Sequence, residues 1–163
     1  MKKILIMRHA KTEVQEIFRS DFVRNLTISG MDEAHRQGQF LSLLPFKPNL
    51  ILVSPSNRTM QTLENLLPSS LWENFEIKIQ DNLYHAGLAK ILEIIAQVDN
   101  GVDELMLIGH NFGVMDLVAH LSNQILEKFK PSSLSLFELN IESWQNLSSE
   151  NASLKYLKGP NDE

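Results

Sequence analysis

Residues 1–10 read MKKILIMRHA, and this stretch decides the fold. Ile4, Leu5, Ile6 and Met7 form an unbroken apolar run, the pattern of a strand covered on both faces, as in a parallel sheet between helix layers. The run is too short for a secretory core or a bilayer span, so it reads as a buried first strand. Arg8 and His9 then emerge at the carboxyl end of that strand, the edge where open α/β sheets place their ligand sites.

Working outward, residues 10–25 lack a clear period and carry several charges, which suits a long active-site loop with one irregular turn. Thr27 can cap a helix in which Met31, Ala34, Gly38 and Leu41 recur at helical spacing and which Pro45 and Pro48 close. Leu50 to Val53 supply a second buried strand. SPSNRTMQT follows, where Ser56 or Asn57 can cap a helix packed through Met60, Leu63 and Leu67 and ended at Pro68. Glu76 to Ile79 form a third strand, and Leu88, Ile91, Leu92 and Ile95 mark the next helical face. Leu105 to Ile108 form a fourth strand, after which Gly109 allows a tight turn into a helix capped by Asn111. Leu134 to Ile141 and Leu154 to Leu157 close the chain as antiparallel neighbours. The expected fold is α/β: a single domain spanning 1–163, a three-layer sandwich with a mixed, mainly parallel sheet and helices on both faces.

The 163 residues, 43% of them hydrophobic, are enough for one substantial core. The formal charge of -5 gives no general attraction for nucleic acid or an anionic membrane, although a local cationic pocket remains compatible with it. With no cysteine, a disulfide scaffold, a thiolate nucleophile and a cysteine metal cluster are excluded, and a reducing, cytoplasmic setting is expected. Asp32, Asp116, His35 and His120 read as solvated helix residues rather than metal ligands, and no metal or cofactor is expected.

Polar signals follow three of the buried strands: Arg8 and His9, then Ser54 with Arg58, then Gly109 and His110. Taken alone, an Arg-His or Gly-His pair serves a turn or a cap, and a lone helical arginine has no catalytic duty. Brought to one sheet edge, two arginines and two histidines disfavour one another's charged forms and call for an anion. A neutral imidazole on His9 can attack phosphorus while the guanidinium groups neutralise the phosphoryl oxygens.

On these residues the chain resembles the histidine phosphatase superfamily, also called phosphoglycerate-mutase-like. LIMRHA is similar to its first signature and puts its leading arginine on Arg8 and its nucleophilic histidine on His9. SPSNRTMQT resembles the second signature, with the phosphate-binding arginine on Arg58 beside Gln61 and Thr62, and GHN puts the second catalytic histidine on His110. Arg24, Leu26, Thr27 and Gly30 in DFVRNLTISG, and the Leu83–Tyr84 pair, extend the likeness over nearly the whole chain. Ala10 departs from the glycine common in the first motif, and Phe112 from the proline that often follows GHN.

The short length and hairpin-like end most resemble the SixA-like phosphohistidine phosphatase branch. That resemblance implies a metal-independent enzyme acting on a phosphorylated histidine-containing phosphotransfer protein or domain through a covalent intermediate on His9. Arg8, Arg58, His110 and Arg24 would bind the phosphate. Arg24 serves equally as a brace for its loop, Tyr84 and Phe112 as substrate rim or as structural rings. The superfamily's general acid has only the candidates Glu13 and Asp81, and its weak placement favours a phosphoramidate over an oxygen ester. The alternatives are a small-molecule phosphomonoesterase and an inactive phosphate-sensing module. No nucleic-acid or membrane partner is expected, and a monomer is the simplest assembly.

Overall fold

In the computed structural model, which describes residues 1–162, six strands form one sheet in the order β3-β2-β4-β1-β5-β6. They are β1 (Lys2–Arg8), β2 (Leu50–Val53), β3 (Glu76–Ile79), β4 (Glu104–Gly109), β5 (Leu134–Leu139) and β6 (Ala152–Lys158). The first four are mutually parallel; β5 runs antiparallel to β1, and β6 antiparallel to β5. Four helices, α1 (Ile28–Leu41), α2 (Asn57–Ser70), α3 (Leu88–Ala96) and α4 (Gly113–Ser122), complete the sandwich.

The apolar strands segregate their side chains by the alternation of the pleat. Ile4, Ile6, Leu105 and Leu107 enter one core with Ile91 and Ile95 of α3 and Leu117 and Leu121 of α4. Leu5, Met7, Met106 and Ile108 enter the other with Leu41 of α1 and Leu63 and Leu66 of α2. The continuous apolar run of β1 is therefore the consequence of helix layers on both faces.

Register explains why distant motifs meet. Met7 lies beside Ile108 and Arg8 beside Gly109, while Val53 pairs with Ile108 from the other side of β4. Three adjacent strands thus end in one row, and His9, Ser54 and His110 each follow one of those ends.

Several boundaries differ from expectation. α2 continues through Pro68 to Ser70 and ends at Leu71 in the left-handed conformation, φ 59°. A proline this close to the end removes a single ladder bond, and the Ser70 hydroxyl donates to the Leu67 carbonyl at 2.8 Å. Asn111 does not cap α4: Phe112 holds that position without a side-chain cap, and Asn111 Nδ2 donates to the Phe129 carbonyl at 2.9 Å. Gly109 is the last residue of β4, not a turn glycine, and none of the described glycines has positive φ. β5 ends two residues before Ile141, and short 3-10 turns at Trp144–Asn146 and Ser149–Asn151 separate it from β6.

Candidate active site

The aperiodic loop after β1 is held by the helix that carries Arg58. Thr62 Oγ1 accepts from the Ala10 amide at 2.9 Å, and Gln61 Oε1 accepts from the Leu26 amide at 2.9 Å. Gln61 Nε2 also donates to Asn25 Oδ1, and Asn57 Nδ2 donates to the Val23 carbonyl. A bridge between Thr12 and Leu26 and a 3-10 turn at Asp21–Val23 give the loop its only regular features among the described residues. Gln61 and Thr62, beside Arg58 in sequence, thus tie the loop to its helix.

His9 is buried, and its Nδ1 lies 2.8 Å from the Ala10 carbonyl oxygen. A carbonyl can only accept, so the proton sits on Nδ1 and Nε2 carries the lone pair. Burial, with the charges of Arg8, Arg58 and Arg24, pushes the His9 pKa down to about 3 although the Ala10 bond opposes it. His9 is therefore a neutral imidazole near pH 7. The His110 ring stands 5.5 Å from it, centroid to centroid, and its pKa is likewise pushed down to about 3 by burial, Arg58, His9 and His85.

Three arginines approach these rings. Arg8 Nη1 donates to the Phe129 carbonyl at 3.0 Å, and burial with the Arg58 and Arg24 charges lowers the Arg8 pKa. Arg58, 3% exposed, donates from Nη1 to the Asp21 carbonyl at 2.8 Å and from Nη2 to Asp21 Oδ2 at 2.9 Å. Arg24 Nη2 donates to Asp21 Oδ1 at 3.0 Å. The Nε atoms of Arg8, Arg24 and Arg58 and Nδ1 of His110 are buried with no protein partner. Such atoms are costly to leave unpaired, and a bound oxyanion satisfies the guanidinium donors among them.

Asp21 is the residue that the sequence reading missed. Its carboxylate accepts from Arg58, from Arg24 and from the Tyr84 hydroxyl at 2.8 Å, and these partners lower its pKa against the opposing effect of desolvation. Its signal lay three residues before Arg24 inside DFVRNLTISG, without periodicity to mark it. Tyr84 is placed at the site edge: its ring meets His110 edge-on at 5.5 Å and lies 5.9 Å from the Arg58 guanidinium carbon.

Glu13 pairs with Arg19 at 3.6 Å, and Asp81 is exposed on the 3-10 turn before Tyr84. Among the described residues no side-chain hydrogen bond joins either carboxylate to His9, Arg58 or His110. Phe112 is 74% exposed beside a shallow depression of about 240 Å³ that Arg8, Met115, Phe129 and Lys130 also line. Among the described residues no three His, Asp or Glu side chains group as ligands for a metal ion, and no helix is long and apolar enough to cross a membrane.

The family model of the histidine phosphatase superfamily (branch 1) matches residues 4–84. A phosphohistidine phosphatase SixA homolog of Haemophilus influenzae is 34% identical over 128 residues, which are 72% of this chain and 76% of that protein. A Nakamurella multipartitia structure assigned to SixA superposes with a TM-score of 0.83 at 23% identity, covering 99% of this chain and 97% of its own. The protein histidine phosphatase SixA complexed with tungstate superposes with a TM-score of 0.78 at 24% identity, covering 97% of each chain. With the family model matched across β1, β2 and α2 and a relative above 30% identity covered over three quarters of its length, the chain belongs to the histidine phosphatase superfamily.

Proposed function

We propose that this phosphatase removes the phosphoryl group from phosphohistidine in a histidine-containing phosphotransfer protein or domain, through a covalent phosphohistidine on His9. The observation that carries the reading is a neutral, buried His9 with a free Nε2 lone pair, surrounded by buried donors that have no protein partner. Nε2 attacks phosphorus, the bond from phosphorus to the substrate imidazole breaks, and the electron pair leaves on that ring. Water then attacks the phosphorylated His9, and inorganic phosphate departs with the nucleophile restored.

Arg8, Arg58 and Arg24, with His110, hold the phosphoryl oxygens as charge shifts between entering and leaving nitrogen. Their fixed charge makes a metal ion unnecessary in this proposal. The choice of phosphoramidate rests on the acid. An oxygen leaving group needs a proton from a placed acid, whereas an imidazole can leave after protonation of its own ring. Asp21 is held ionised by its three donors, Glu13 is engaged by Arg19, and Asp81 is exposed to solvent. The exposed Phe112 and the depression beside Arg8 offer an open rim that suits a protein surface. A histidine phosphotransfer substrate and the absence of cysteine both favour action in the cytoplasm.

The test is a panel of phosphohistidine proteins and phosphate esters, assayed for free phosphate in excess chelator. Phosphohistidine turnover well above every ester is expected. Faster hydrolysis of a sugar or nucleotide ester would move the substrate to a small molecule, and loss of turnover restored by one divalent ion would end the metal-free mechanism.

A further inference from the structure

One buried polar contact takes no direct part in the proposed phosphoryl transfer. Ser54, the first residue after β2, is fully buried, and its Oγ lies 2.7 Å from Nε2 of His110. Its backbone is fixed on both sides: the Ser54 amide donates to the Ile108 carbonyl at 3.3 Å, and the Ser54 carbonyl accepts from Thr59 Oγ1 at 2.7 Å. The hydroxyl has no second partner among the described residues. Nδ1, the other nitrogen of His110, is buried and also unpartnered.

Two arrangements of the single proton on a neutral His110 are possible. If Nε2–H donated to Ser54 Oγ, the serine proton would have no acceptor in a buried place. Nδ1 would then turn a lone pair toward the anion that the arginines bind. If the serine hydroxyl donates to Nε2, its proton is used and Nδ1–H becomes a donor. Only the second arrangement satisfies every polar atom once a phosphoryl oxygen arrives.

We propose that Ser54 is a positioning residue that locks His110 in the Nδ1–H tautomer and so aims an N–H donor at the phosphoryl group. Ser54 does not touch the substrate. It acts through His110, much as a buried partner of any functional imidazole fixes its proton and ring angle. The same geometry divides labour between the two histidines. The Ala10 carbonyl accepts from Nδ1 of His9 and leaves Nε2 as a nucleophile, while the Ser54 hydroxyl donates to Nε2 of His110 and leaves Nδ1 as a donor. A carbonyl and a hydroxyl, each contributed by a strand-end loop, give two neighbouring imidazoles opposite functions.

The inference rests on the proposed phosphoryl transfer for its purpose, but its first test needs no substrate. Nitrogen-15 spectra of the labelled full chain, with the His110 signals assigned by their disappearance in His110→Gln, report the tautomer directly. A pyrrole-type Nδ1 and a pyridine-type Nε2 are expected at pH 7. In Ser54→Ala the population should shift toward Nε2–H. The kcat for phosphohistidine should fall by about 10–100-fold, the range seen when the partner that orients a metal-ligating imidazole is lost. Ser54→Thr, which keeps the hydroxyl, should restore the Nδ1–H signature and most of kcat. A wild-type Nε2–H tautomer, or a folded Ser54→Ala variant with unchanged tautomer and kcat, overturns the assignment. A wild-type Nδ1–H signature that is lost in Ser54→Ala, found in a protein inactive on phosphohistidine, supports the lock while refuting the substrate.

Discussion

His9 and His110 should make the fold sensitive to mild acid, and the size of the effect follows from their burial. Each imidazole is held at about 3 in the folded protein, against 6.5 in an ordinary setting. Because the folded values are depressed, the unfolded chain binds more protons between those limits. Stability is therefore full above pH 6.5 and is lost as the pH falls toward about 3. A pH of 5 lies about 1.5 units below the midpoint of the unfolded imidazole, so proton uptake by the unfolded chain favours unfolding by about 2 kcal/mol for each histidine. The pair should contribute about 4 kcal/mol, reduced if removing one ring eases the other, since His9 is one cause of the His110 shift. Urea unfolding at pH 7 and pH 5, for wild type and the His9→Gln/His110→Gln double variant, isolates this contribution because every other titrating group is common to both. Wild type should lose about 4 kcal/mol more than the double variant between the two pH values. Parallel losses would refute the claim that both imidazoles are buried neutral.

Other consequences can be measured on the reaction itself. Rapid quenching of a labelled phosphodonor should trap phosphate on His9, while His9→Ala should form no intermediate yet retain phosphate affinity, since the guanidinium groups remain; label on another residue would end the mechanism. Arg58→Ala should still form the intermediate but with its rate lowered by about 100-fold, close to 3 kcal/mol in barrier, as measured by single-turnover kinetics. Asp21→Asn should bind inorganic phosphate more tightly, by about tenfold, because a negative charge beside the anion site is gone; competitive inhibition measures it. Gly38→Ala should destabilise the fold by about 1–3 kcal/mol without altering KM, because the added methyl collides with the Leu66 carbonyl and the Ser69 hydroxyl where α1 packs on α2; thermal melts and kinetics together check it.

What could be read from the sequence was whatever the sheet dictates. A buried parallel strand requires an apolar run, and an open α/β sheet places ligand sites at its carboxyl edge, so LIMRH, LVSPSNR and LIGH each announced a strand followed by polar residues at that edge. Arg8, His9, Arg58 and His110 accordingly come together in the structure at the ends of three neighbouring strands. Contacts made by irregular backbone could not be read this way. Asp21 sits in a loop whose path is set by side chains of a helix 30 or more residues later, through Asn57, Gln61 and Thr62. Asn111 looked like a cap because asparagine before a helix usually is one, yet the Phe129 carbonyl, from a distant segment, captured its amide. Pro68 looked like a stop because the hydroxyl bonds that finish α2 leave no periodic trace.

Asp21 also explains how a strongly cationic pocket is accommodated in the folded chain. Arg8, Arg24 and Arg58 bring three positive charges to two neutral imidazoles, and like charges at this spacing oppose folding. One carboxylate bonded to Arg58 and Arg24 lowers the sum from three to two, which equals the charge of a phosphoryl dianion. A second acid in the pocket would weaken the match to the dianion. A histidine charged in the resting state would forfeit the Nε2 lone pair if it were His9. In the proposed reaction, burial would keep the His9 nucleophile neutral and an unbalanced pair of guanidinium charges would supply the anion affinity. The price is a carboxylate too firmly ionised to serve as an acid, and a leaving group that carries its own basic nitrogen is the kind of substrate for which that loss is tolerable.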